Sequence, residues 1–184
     1  KDETAAIYNF KAHGVDAKAL NMPEGVNIKS IACTADGYLL AVPEVSLSFG
    51  GGGETLPIYV WDDADAQPHI FAAITSSKQI GATEDIVAGD NFVVSGRLAD
   101  LKVYFPAHAP SSTALTFCAV RIKGGTITSE AAAAVSGLDA AALGNYRVMV
   151  TPTSRDHLLV VSGAASLCRE YSFDWTSGEM KAYT

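Results

Sequence analysis

The sequence has no apolar run approaching the roughly 20 residues that a membrane helix needs, so no membrane-spanning helix is expected. It lacks a basic patch as well. Its 13 lysines and arginines are scattered among 20 acidic residues, for a formal net charge of −7. Nucleic acids and anionic membrane surfaces draw affinity from clustered cations that release counterions, so neither is an expected partner. Cysteine is scarce: Cys33, Cys118 and Cys168 are far apart, and no C-x-x-C pair offers the close thiolates of a zinc site. Each cysteine sits in an apolar run, and all three are expected as small buried hydrophobes. The opening Lys1-Asp2-Glu3 carries no signal-peptide pattern and is read as the start of a mature or trimmed fragment.

Catalytic signatures are missing too. There is no Gly-x-Ser-x-Gly elbow for a nucleophilic serine. The four histidines, His13, His69, His108 and His157, have no i,i+4 helical spacing for a metal pair. The glycine run 50–53 is not followed by the Lys-Ser or Lys-Thr that closes a phosphate loop, and reads as a flexible loop. No cofactor is expected.

What is present is β-pattern. In a chain of 184 residues, 48% hydrophobic and 18% charged, short apolar runs alternate with turn chemistry, which is enough to build a real core. From Val26 to Thr75 the runs are Ile28–Cys33, Tyr38–Val42, Pro57–Asp62 and His69–Ile74, separated by Ala35-Asp36-Gly37, a glycine-rich break and an Asp-rich turn. That order predicts a four-stranded antiparallel meander. It recurs at 90–129 (Phe92–Ser95, Leu101–Phe105, Ala114–Ile122, Thr126–Ser129) and at 146–184 (Tyr146–Thr151, His157–Ser162, Ser166–Phe173, Glu179–Tyr183). Residues 1–25 hold two further runs, Ala5–Phe10 and Ala17–Met22, read as a half unit. Residues 130–143 are alanine-rich and predict one short helical insertion. The expected fold is all-β: a propeller-like array of about three blades plus the half unit, within one domain, 1–184, or as part of a longer propeller. A β-sandwich is the alternative.

Three segments carry a family resemblance: Ile31-Ala32-Cys33-Thr34-Ala35-Asp36-Gly37-Tyr38-Leu39, Ile58-Tyr59-Val60-Trp61-Asp62 and Tyr171-Ser172-Phe173-Asp174-Trp175-Thr176-Ser177-Gly178-Glu179. In their aromatic-rich third strands ending in Asp, they resemble the secreted β-propeller-like proteins of gut bacteria. The resemblance implies a propeller-like fold and an extracytoplasmic location, periplasmic or at the cell surface. It implies no reaction.

The candidate ligand-binding residues are Trp61, Asp62, Asp63, Asp65 and Trp175. The two indoles offer flat apolar faces of the kind that sugars stack on, although core packing competes for them. Asp63, Asp65 and Gln67 alternate as oxygen donors for a hard cation. Pro68 and Ile74 stand where a calcium loop needs glycine and glutamate, so a solvated hairpin turn is expected and no metal. The run Ser172-Phe173-Asp174-Trp175-Thr176-Ser177-Gly178 begins like the repeated turn of sialidase propellers, but Trp175 and Gly178 fall at other positions. The leading expectation is a non-enzymatic exported module that binds a glycan or a protein partner through its blade-end loops. The alternatives are a fragment of a propeller-type hydrolase or lyase using Asp62, Asp63, Asp65, Asp156 or His157, and a structural domain that self-associates through open strands.

Overall fold

The structure, a computed structural model, describes residues 21, 24–43, 55–63, 65–74, 87–88, 92–108, 114–139, 146–150, 157–162 and 167–182. The expected strands at 5–10 and 17–22, apart from Asn21, which is not in a strand, the glycine run 50–53 and the turn 153–156 lie outside the described residues.

The described residues form thirteen strands in three antiparallel sheets. The first sheet runs in order through β1 (Ile28–Cys33), β2 (Leu39–Pro43), β3 (Leu56–Trp61) and β4 (His69–Ile74). In the middle sheet β7 (Asp100–His108) pairs with β8 (Ala114–Lys123), and β8 with β9 (Thr126–Asp139). Two short strands, β5 (Val87–Ala88) and β6 (Val93–Arg97), share the other edge of β7. The third sheet is β10 (Tyr146–Val150), β11 (His157–Ser162), β12 (Leu167–Asp174) and β13 (Glu179–Ala182). Every pairing is antiparallel, and all but that of β5 with β7 join strands consecutive in sequence, as the turn chemistry predicts. No helix occurs among the described residues, and hence none that is long and apolar enough to cross a membrane.

The sheets stack, and the middle one is covered on both faces. Successive side chains of a strand point to opposite faces. Leu101, Val103 and Phe105 of β7, with Cys118, Val120 and Ile122 of β8, form one face. They pack on Leu40, Val42, Leu56, Ile58, Val60, Ala72 and Ile74 of the first sheet. Each valine, leucine, isoleucine or phenylalanine among them contributes about 1.5–3 kcal/mol by leaving water. The opposite face of β7 and β8 carries Tyr104, Phe117 and Ala119, all fully buried. Tyr104 meets Phe173 of the third sheet edge to face, with ring centroids 6.2 Å apart. A strand covered on both sides must be apolar at nearly every position, which accounts for the unbroken run Val103-Tyr104-Phe105.

Two expectations are corrected. The alanine-rich stretch is strand, not helix, up to Asp139, where description stops short of the expected helix end. Ala131, Ala132, Ala133 and Ala134 stand opposite Ala119, Cys118, Phe117 and Thr116. Alanine's helix preference over other residues amounts to a few tenths of a kcal/mol per position. The long strand β8 presents an edge of backbone N–H and C=O groups that each need a partner, and that demand prevails. The second expectation concerns cysteine: Cys118 is buried, but Cys33 and Cys168 are exposed, because strand alternation turns them away from the neighbouring sheet. Strand β7 extends beyond the run Leu101–Phe105, through Pro106 to His108.

Candidate functional site: the turn end of the stack

In a meander the first and third hairpin turns leave the sheet at the same end. The turns β1–β2 and β3–β4 of the first sheet, β6–β7 and β8–β9 of the middle sheet, and β12–β13 of the third are all of this kind. Hydrogen bonds join the β1–β2, β6–β7 and β8–β9 turns into a rim. The N–H of Ala35 donates to the carbonyl of Gly96 at 2.7 Å, and the N–H of Leu98 donates to the Asp36 carboxylate at 3.1 Å. Within the middle sheet the N–H of Gly124 donates to the Ala99 carbonyl at 3.3 Å. Lys102, just past the β6–β7 turn, places Nζ 5.8 Å from the centre of the Trp175 ring, which extends the rim to the third sheet.

Local chemistry shapes each turn. Thr34 Oγ1 accepts the N–H of Tyr38 at 2.9 Å, closing the Asp36-Gly37 hairpin, in which Gly37 takes φ +90°. In the β3–β4 turn Asp63 Oδ1 accepts the N–H of Asp65 at 2.8 Å, an Asx turn that commits the carboxylate to the backbone. Asp174 Oδ1 caps the last hairpin by accepting the N–H of Thr176 at 2.8 Å. The sequence that begins like a sialidase turn is thus a self-capped hairpin.

Trp61 is 4% exposed, and its Nε1–H donates to the Asn21 carbonyl at 2.8 Å. Asp62 is exposed, and its Oδ2 lies 3.6 Å from His69 Nδ1. Asp63 and Asp65 are exposed in the same turn. Trp175 belongs to the third sheet, across the middle sheet from Trp61, and is half-buried against Phe173 (centroids 4.9 Å apart) and Tyr104 (6.0 Å). Its Nε1 is buried and has no acceptor among the described residues. The two indoles are therefore not brought together, because the middle sheet separates their sheets.

Other groups emerge only in three dimensions. Asp100 and Arg121 form a two-pronged ion pair, Nε to Oδ1 at 2.8 Å and Nη2 to Oδ2 at 2.6 Å. Their separation of 21 residues hides this from sequence reading, although opposite charges in predicted adjacent strands were a usable signal. His157 of β11 meets Glu170 of β12, Nδ1 to Oε1 at 2.7 Å, on the face of the third sheet turned away from the stack.

The rim carboxylates that shift all move down. Asp36 is lowered first by the Thr34 hydroxyl, with further help from the Leu98 N–H. Asp100 is lowered by Arg121, and Asp174 by the Thr176 N–H. Each is held as a carboxylate, an acceptor at neutral pH. Burial pushes the Cys118 thiol far up, which makes it inert as a nucleophile. Among the described residues no three His, Cys, Asp or Glu side chains are grouped so as to hold a metal ion. No protein-family model matches the chain, and no curated protein matches it.

Proposed function

We propose that the three sheets are consecutive blades of a propeller-like array, and that the chain is an exported, non-enzymatic module that binds a glycan or protein partner at its turn end. The observation that carries this reading is the rim itself. Turns from all three sheets meet at one end and display Asp36, Asp62, Asp63, Asp65 and the Trp175 hairpin on a rigid scaffold, which is how binding loops are commonly presented. Exposed carboxylates and a half-buried indole suit sugar hydroxyls and the apolar face of a pyranose ring. Export rests on the sequence resemblance.

The test is a printed array of host and plant oligosaccharides, probed with the intact chain and with Trp175→Ala and Asp62→Asn/Asp63→Asn variants. The reading predicts a consistent group of bound glycans that both variants lose. Binding that neither variant disturbs contradicts the turn end as the site.

A further inference from the structure

Charges that are scattered in the sequence meet at the turn end of the middle sheet. Asp100 and Lys102 alternate on β7, as Arg121 and Lys123 do on β8. Asp100 stands directly opposite Lys123, and Lys102 directly opposite Arg121. Opposed residues of an antiparallel pair share a face, as do residues two apart along a strand, so the four side chains form one square. Across the strands its Cβ atoms lie about 4.5–5.5 Å apart, and on the diagonal about 7–8 Å. Three corners are cations and one is a carboxylate. Asp100 answers Arg121 through their two-pronged pair. Arg121 lowers the Asp100 carboxyl most, and Lys123 and Lys102 add to the effect.

The square works against folding. Cations directly opposite each other on neighbouring strands repel, and Lys102 and Arg121 are such a pair. Both are half-buried, so part of the hydration that would ease the repulsion is lost. With 20 acidic residues and a net charge of −7, the chain has carboxylates to spare, yet it sets two cations across from each other here. Local rules are broken in this way at functional sites. The square also borders Trp175 of the third sheet, with Lys102 Nζ 5.8 Å from the centre of its ring.

We propose that Lys102, Arg121 and Lys123 form an anion subsite of the turn end, and that the ligand is an acidic oligosaccharide whose carboxylate or sulfate group sits between them. This rests on the turn end as a glycan-binding face and adds the charge of the glycan. Ammonium and guanidinium groups donate charge-assisted hydrogen bonds to either oxyanion. The neighbouring indole favours a sugar over an acidic peptide, and the net charge of −7 sets the rest of the surface against a long polyanion.

The test is calorimetric titration of the intact chain with an oligogalacturonate and its methyl ester, and with a sulfated galactan oligosaccharide and its desulfated form. At least one acidic form is expected to bind roughly tenfold or more tightly than its neutral counterpart, more weakly as salt rises, and the pair that differs identifies carboxylate or sulfate. Lys102→Gln/Lys123→Gln should weaken that binding roughly tenfold or more, whereas Asp100→Asn should strengthen it by removing the one opposing charge. A role confined to folding would weaken binding in both, and thermal melting of each variant reports that separately. Acidic and neutral forms bound equally, or an affinity that the lysine variant leaves unchanged, overturn the subsite. If neither acidic oligosaccharide binds while neutral glycans are retained on the array, the subsite falls and the turn-end reading stands. Equal or tighter binding of poly-L-glutamate or single-stranded DNA assigns the cations to another class of partner and also overturns the proposal.

Discussion

The carboxylate of Asp36 receives the backbone N–H of Leu98, 62 residues later, at 3.1 Å, and so fastens a hairpin of the first sheet to a hairpin of the middle sheet. The same carboxylate is held below the ordinary aspartate range by the Thr34 hydroxyl and by this N–H. A carboxyl group depressed on folding stabilises the folded state above its unfolded pKa, and that contribution is lost as pH falls through the folded value. Asp100 and Asp174 follow the same sign. Carbon-detected carboxyl titration should give midpoints for all three below about 3.9. Thermal stability should decline only as the pH drops below about 4. Asp36→Asn should lower the melting temperature at pH 7 and flatten part of that decline; a midpoint at or above the ordinary value contradicts the geometry.

The glycine pair in the β8–β9 hairpin separates two kinds of demand. Gly124 and Gly125 take φ +53° and +80°, the left-handed pair of a tight two-residue turn. A Cβ at Gly124 meets nothing within 4 Å, whereas one at Gly125 comes within 2.8 Å of the Phe71 carbonyl oxygen on the first sheet. Gly124→Asn should be tolerated, because asparagine accepts the left-handed region. Gly125→Ala should cost about 1–3 kcal/mol, because the backbone strain adds to a contact with an atom that cannot swing away. Urea denaturation of the two variants measures the difference.

Leu101 lies between the first and middle sheets and is fully buried. Leu101→Ala should destabilise by about 2–5 kcal/mol in chemical denaturation, since a cavity there is walled by strands that cannot close over it. A loss below 1 kcal/mol contradicts the stacking of these two sheets.

Thiol chemistry reads the strand alternation directly. In the native chain two of the three thiols, Cys33 and Cys168, should react with a bulky aromatic disulfide reagent. Cys118 should react only after unfolding, since burial both blocks access and keeps its proton on. Three reactive thiols in the native state contradict the burial of β8.

Much of this architecture was legible in the sequence, because hairpin turn chemistry and period-two patterns are local. The runs Ile28–Cys33, His69–Ile74 and His157–Ser162 are strands with those bounds. The alanine stretch was misread because what makes it a strand is non-local: the open edge of β8 opposite Ala131–Ala134. Cross-strand proximity between Ala132 and Cys118 in nuclear Overhauser spectra checks this, against the i,i+3 pattern of a helix. The exposure of Cys33 was hidden for a related reason. An apolar run shows that one face is buried, but not which face, nor whether the other is covered. At the site, Trp61 and Asp62 to Asp65 could be placed in one hairpin from sequence, but not the middle sheet that parts them from Trp175. That separation depends on stacking order, which no run of residues records.

The central claim is that the turn end is the binding face. Its most direct measurement is a nuclear magnetic resonance titration of the isotope-labelled chain with an oligosaccharide retained on the array. The account predicts shifts confined to Asp36, Asp62–Asp65, Leu98, Lys102, Lys123, Gly124 and the indole of Trp175. Shifts centred instead on the opposite end of the strands, or on the outer row His157, Ser172 and Lys181, would contradict it.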